Sequence, residues 1–201
     1  MLNKTSNSKA QEAAEDIFFG QIVIIWARWF LISAGAVIAL WSATDENQLI
    51  LAILTLVVLM GMNFFTHGRY ITGKPVNQFL LLFANLIDVG VITLMVVYWP
   101  GHQGVDSNFF ILYYPILLAW ALVFSPGITI VFSLITLAVY AAACLLGSDP
   151  QVILSVAGFE TLVARLITLG AMAGLGTYYY RRQRDSLRAL TAKPLPAFFN
   201  K

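Results

Sequence analysis

Apolar and polar positions fall in long blocks along this chain, not in alternation. From Ile22 to Tyr180 the sequence is nearly continuous apolar residues, broken only by short polar stretches. The blocks are residues 22–41, 48–66, 78–99, 109–124, 128–146 and 159–180. A helix crosses a bilayer with about 20 apolar residues at 1.5 Å rise each. The pattern therefore predicts an all-α integral membrane protein with six transmembrane helices. The fourth block is the shortest, and Pro115 inside it predicts a kink, because proline removes a backbone donor. Ser125-Pro126-Gly127 predicts a tight antiparallel turn, with Ser125 as a cap and Pro126 at the first helical position. Ser148-Asp149-Pro150 gives the same start signal ahead of residues 152–157, which either form an interfacial turn or lengthen the last helix.

The polar flanks divide the chain into residues 1–21, a membrane domain over 22–180, and a basic tail over 181–201. In the first, Ala10, Ala13, Ala14, Ile17 and Phe18 recur at helical spacing, with Glu12, Glu15 and Asp16 facing away. They predict either an interfacial helix or an extension of the first span. No short apolar region followed by a small-residue cleavage site precedes the first span, so it reads as a retained anchor.

Composition agrees with a lipid solvent. The chain of 201 residues is 59% hydrophobic and 11% charged, against about 25% charged in an average soluble domain. Charge placement gives an orientation. Lys4, Lys9, Arg69, Lys74, Arg181, Arg182, Arg184, Arg188, Lys193 and Lys201 flank one set of span ends. The intervening loops carry Asp45, Glu46, Asp106 and Asp149. With six spans, every basic flank falls on one side, which the positive-inside rule makes cytoplasmic. Both termini are expected inside, in a bacterial plasma membrane. Cys144 stands alone, and His67 and His102 are expected on opposite sides, so no metal site, haem ligation or disulfide is expected. Nucleic acid is not an expected partner.

Four ionisable residues lie within the spans: Arg28, Asp88, Glu160 and Arg165. Each is costly in hydrocarbon unless paired or turned inward. Arg28–Asp88, Glu160–Arg165 and Arg165–Asp88 are the possible pairs, and Asn85 shares the polar face of Asp88. They are expected to form an intramembrane charge clamp. Alternatives are a contact to a ligand or partner, or a proton path. Gly170 and Gly174 form a small-xxx-small pattern, expected to serve helix packing within the chain or between subunits. Arg181, Arg182, Arg184 and Arg188 follow an aromatic belt at Tyr178-Tyr179-Tyr180 and are expected to meet lipid headgroups or a partner. Pro194 and Pro196 then stop the helix.

From the third block onward the residues form a more particular pattern. Asp88 is followed by Tyr98-Trp99-Pro100-Gly101, then Gln103-Gly104-Val105-Asp106-Ser107-Asn108-Phe109, then Leu112-Tyr113-Tyr114-Pro115-Ile116-Leu117. With Arg28-Trp29-Phe30-Leu31-Ile32 and Arg165, this resembles the six-helix N-terminal input region of bacterial membrane sensor histidine kinases. The likeness covers roughly residues 20–190, and the redox-sensing branch is the nearest. In that branch a Gly-Gly-x-x-Ser/Asn-Pro-Phe loop is associated with quinone. Here Gln103 replaces the first Gly and Asn108 the Pro, while Gly104, Ser107 and Phe109 fit. The resemblance implies a loop of Gly104, Ser107 and Phe109, with Tyr113 and Trp99 beside it, that holds a flat ring such as a quinone. The same aromatics also suit an interface belt without a ligand. No other cofactor is implied.

Neither histidine sits where a kinase phosphoacceptor would, and no glycine-rich nucleotide box follows the sixth block. The expectation is a non-catalytic accessory or regulatory subunit that works by lateral association with a larger membrane complex, of a quinone-linked photosynthetic or respiratory kind. The bilayer and either that complex or a second copy would be its partners. The alternatives are a sensory input module, or truncated kinase, signalling through a separate partner, and a small transporter.

Overall fold

A computed structural model describes the backbone of residues 2–74 and 76–191, and the side chains of 20–74, 76–77 and 79–182. Every regular element among these residues is helical. In hydrocarbon each buried backbone polar group needs an internal partner, and a helix supplies all of them within one segment. The helices are α1 (Leu2–Ser42), α2 (Glu46–Ile71), α3 (Gln78–Tyr98), α4 (Tyr113–Val123), α5 (Pro126–Gly147), α6 (Pro150–Ile153) and α7 (Val156–Thr191). Two 3-10 segments, Gly104–Asp106 and Asn108–Leu112, lie between α3 and α4. Five stretches are long and apolar enough to cross a membrane: Gly20–Ser42, Glu46–Ile71, Phe79–Tyr98, Pro126–Gly147 and Val156–Arg182. The protein is thus a multi-pass helical membrane protein.

The fourth apolar block departs from its expected form. Its α-helical part is only 11 residues, about 16 Å at the standard rise. The preceding 3-10 segment adds 5 residues, about 10 Å. The sum falls short of the roughly 30 Å of hydrocarbon thickness. Pro115 does not kink an α-helix as expected. It is the third residue of α4, where a missing N–H is one the first turn would leave unpaired in any case. The irregular geometry lies upstream, in the 3-10 turn.

This short helix is the centre of the bundle. It packs against α1 and α7 most extensively, and also against α3 and α5. Tyr113, Ile116, Leu117, Ala119, Trp120 and Ala121 are all buried on it. Small residues set the approach of its neighbours. A Cβ on Gly20 of α1 would sit 2.7 Å from Val123 Cγ1, and one on Gly176 of α7 would sit 2.5 Å from Ala121 Cβ. Around α4, α1 pairs with α2, α3 with α5, and α5 with α7.

The turns follow from local chemistry. Asp45 caps α2 by accepting from the Gln48 amide, and Asp149 caps α6 by accepting from the Gln151 amide. Pro126 occupies the first turn of α5 as expected, but the Ser125 side chain makes no capping bond. Residues 150–157 divide their two expected roles, with α6 forming a short turn and α7 starting at Val156. The first helix runs unbroken from Leu2, so the N-terminal segment extends the first span. The side chains of residues 1–19, Arg184 and Arg188, and all of Pro194 and Pro196, lie outside what the structure describes.

Candidate functional site

Two buried polar centres hold the bundle together, one within it and one at the end that carries the loop of residues 99–112. The inner centre joins α1 to α3. Arg28 Nη2 donates to Asp88 Oδ1 at 2.9 Å, and Arg28 Nε stands 2.8 Å from Asp88 Oδ2. The arrangement is one charge-assisted hydrogen bond with a second close ionic contact, the Nε–Oδ2 approach falling outside hydrogen-bond geometry. Both side chains are within 2% of complete burial. The remaining Arg28 nitrogen, Nη1, has no protein partner. Asn85 is also buried, but its amide donates to the Leu81 carbonyl of its own helix at 2.9 Å.

Arg165 and Glu160 behave differently from Arg28 and Asp88. Neither Glu160–Arg165 nor Arg165–Asp88 forms. Five residues along one helix turn the side chains of 160 and 165 to different faces, and Glu160 is exposed. Arg165 reaches instead to the loop end of the bundle. Its Nη1 donates to the Ser107 carbonyl at 3.0 Å and to the Tyr140 hydroxyl at 3.3 Å. Its guanidinium carbon lies 3.8 Å from the centre of the Phe110 ring, a cation–π distance. The clamp of charges expected from the sequence is therefore two separate devices, one ion pair and one arginine on a loop.

The loop held by Arg165 is packed as a plug. The Gly104 φ of +59° suits glycine, and its Cα side faces Gly147 and Ser148 of the α5 end. Ser148 Oγ accepts from the Val105 amide at 2.8 Å. Ser107 is fully buried, and its hydroxyl accepts from the Phe109 amide at 3.2 Å. Phe109 meets Trp99 edge-on at 5.2 Å between ring centres, and Tyr113 meets Tyr140 at 5.5 Å. The Tyr113 hydroxyl shares a hydrogen bond with Thr93 Oγ1 at 2.8 Å.

Gly104, Ser107, Phe109, Tyr113 and Trp99 thus sit together, as the loop reading expects, but in contact with protein. The void bordered by Phe109 holds about 30 Å³, room for one water and not for a ring. Trp99 borders a larger groove of about 520 Å³ between α2 and α3, whose lining includes Asp45 and Gln48. A flat ligand at this end of the bundle would find its space there and not within the loop.

Within the chain, Gly170 and Gly174 do not form the tight helix contact that the pattern allows. Gly174 is exposed and a Cβ on it would meet nothing within 4 Å, while Gly170 only grazes Leu137 at 3.9 Å. The tight contact belongs to Gly176 against α4. The glycine spacing marks one helix face, and α4 lies on another.

Sequence reasoning passed over a third polar contact. Gln21 is fully buried; its Nε2 donates to the Thr66 carbonyl at 2.9 Å and its Oε1 accepts from the Val76 amide at 2.8 Å. One side chain thereby ties α1, α2 and the turn before α3. Asn63 Nδ2 adds a bond to the Ile25 carbonyl at 3.3 Å. The signal was present, since each is an amide at or inside an apolar block.

Replacing Arg165 with lysine is expected to loosen the plug more than the bundle. Lysine keeps the charge but cannot reach the Ser107 carbonyl and the Tyr140 hydroxyl with one planar head. The loss is about 1–2 kcal/mol, the scale of one charge-assisted hydrogen bond with a cation–π contact. Amide hydrogen exchange should rise at residues 104–112 and stay unchanged in α2. Equal exchange in both proteins would show that Arg165 does not hold the loop.

Among the described residues no group of three or more histidine, cysteine, aspartate or glutamate side chains is placed to hold a metal. No known family model, characterised protein or solved structure matches the chain.

Proposed function

We propose that this chain is a non-catalytic, six-span subunit of a bacterial plasma membrane, with both termini in the cytoplasm, that acts by lateral association with a larger complex. The observation that carries this reading is the Arg28–Asp88 pair. The two charges deepest in the bundle are matched to each other at 2.8–2.9 Å, so they are engaged in holding α1 to α3. A buried pair of this kind fixes one packing of the helices, which suits a scaffold presented to a partner. The grooves between helices support the same reading. Those beside α4 and between α2 and α3 are bordered chiefly by apolar side chains, as surfaces that meet lipid or another membrane helix are. The sixth span is then the short α4 with its 3-10 lead-in, packed chiefly against α1 and α7. The basic flanks at residues 69–74 and 181–188 support a cytoplasmic placement of those ends.

The likeness to sensor-kinase input regions directs the choice of partner to a quinone-linked, energy-converting complex. The test is extraction of source membranes in mild detergent. The chain should co-migrate with a large complex in fixed ratio, and recovery only as a free homodimer would overturn the proposal. A second reading, an input module signalling through a separate partner, draws on the unbroken course of α7 from Val156 to Thr191. A helix leaving the bundle without a break can carry a packing change outward. Under that reading, a signalling protein and not an energy-converting complex would be recovered with the chain.

A further inference from the structure

The face of α7 that carries Gly170 and Gly174 borders a groove of about 440 Å³ against α5, within the usual range of ligand clefts. It runs from Leu137 and Gly170 to Ile130 and Arg181. Eleven residues of α7 separate its ends, about 16 Å of helix. Most of its length is bordered by aliphatic side chains and by glycines that leave the space open. Two features single it out. Ser133 of α5 borders the groove, is only 7% exposed, and its hydroxyl has no hydrogen-bond partner. A buried hydroxyl without a partner is costly unless something else supplies one. The second feature is at the end of the groove. Arg181 is exposed there, next to Tyr178, whose hydroxyl accepts from Arg182 at 3.3 Å.

We infer that this groove binds one anionic phospholipid, with its phosphate at Arg181, an ester carbonyl at Ser133 and an acyl chain along Gly170 and Gly174. The match is one of chemistry along a line. A phospholipid is anionic at the interface, carries hydrogen-bond acceptors just below, and is aliphatic beyond. The groove is cationic at Arg181, offers a hydroxyl donor at Ser133, and is aliphatic toward Leu137. A transmembrane helix from a second copy would fill the aliphatic part, but its backbone carbonyls are already bonded within the helix and leave the Ser133 hydroxyl without an acceptor. The inference needs only that α5 and α7 lie in a membrane, and it is independent of the partner complex proposed above.

The test uses the full chain in nanodiscs of phosphatidylglycerol and phosphatidylcholine, with the lipids retained after transfer to mild detergent read by native mass spectrometry. The wild type should keep one phosphatidylglycerol in preference to phosphatidylcholine. Gly174→Leu should reduce that retention about tenfold, while its melting temperature stays put because the added side chain enters open space. Arg181→Gln should keep a lipid but lower the preference for phosphatidylglycerol about fivefold, the factor expected for roughly 1 kcal/mol per interfacial basic residue. Gly61→Leu, on an equally open face of α2, should change neither. No preference in the wild type would overturn the inference. So would a Gly174→Leu protein that retains the lipid but loses a homodimer, which would assign the groove to a second copy.

Discussion

Replacing Asp88 with alanine is expected to destabilise the bundle by about 3–5 kcal/mol, the scale for removing one partner of a buried ion pair. The loss exceeds that of the contact itself. Arg28 is 2% exposed, and without Asp88 its guanidinium would remain charged in an apolar interior. At about 2–4 °C per kcal/mol for a chain of this size, melting in detergent should fall by on the order of 10 °C. Asp88→Asn should fall in between, since the amide oxygen can still accept one Arg28 hydrogen bond but the charge is unmatched. The double change Arg28→Met with Asp88→Leu should recover most of the loss, because two apolar side chains need no partner. A double variant as unstable as Asp88→Ala would show that packing, and not the charge, is what Asp88 supplies. An Asp88→Asn protein that melts with the wild type would remove the clamp altogether.

The same pair shows where sequence reading stops. Long apolar blocks made the helices legible, because in lipid a run of that length has almost one structural solution. Arg28 and Asp88 were legible as residues needing a partner, because a charge in an apolar block stands out. Which of three pairings forms was not legible. It depends on which helices touch and in what rotation, and the spacing along a single helix carries neither. Arg165 illustrates the point, since it turns to the loop and not to a carboxylate. The glycines repeat the lesson from the packing side. Gly170 and Gly174 announce a face, but the close neighbour of α7 is α4, and it meets Gly176. That α4 is the centre is not legible from a block whose sequence shows only a short span with a proline. Its shortness comes from a 3-10 turn, and 5 residues are too few for that turn's three-residue period to show. Gln21 and Asn63 were a different kind of omission. Uncharged amides carry little weight beside charges in a hydropathy reading, yet in hydrocarbon an unsatisfied amide is also costly.

The loop glycines separate two effects that usually occur together. Gly101 and Gly104 both have positive φ, +81° and +59°, so alanine at either carries backbone strain of about 1–2 kcal/mol. Only Gly104 is also crowded. A Cβ there would fall on the Ser148 hydroxyl and 2.6 Å from the Ser148 amide nitrogen, whereas at Gly101 it would meet nothing within 4 Å. The Ser148 amide cannot retreat freely, because it donates to the Cys144 carbonyl at 3.0 Å and so closes α5. Overpacking adds roughly 1–3 kcal/mol to the strain. Gly104→Ala should therefore cost about 2–5 kcal/mol, and Gly101→Ala about 1–2, in detergent melts of the full chain. Adding Ser148→Gly to Gly104→Ala clears the hydroxyl but leaves the backbone in place, and it also removes the acceptor of the Val105 amide. It should recover only a minor share. Equal shifts for the two single variants would mean that the loop tip is not seated on the end of α5. The plug would then be held by Arg165 and the Phe109–Trp99 contact, and the 104–112 segment would loosen further when the Arg165 side chain is shortened.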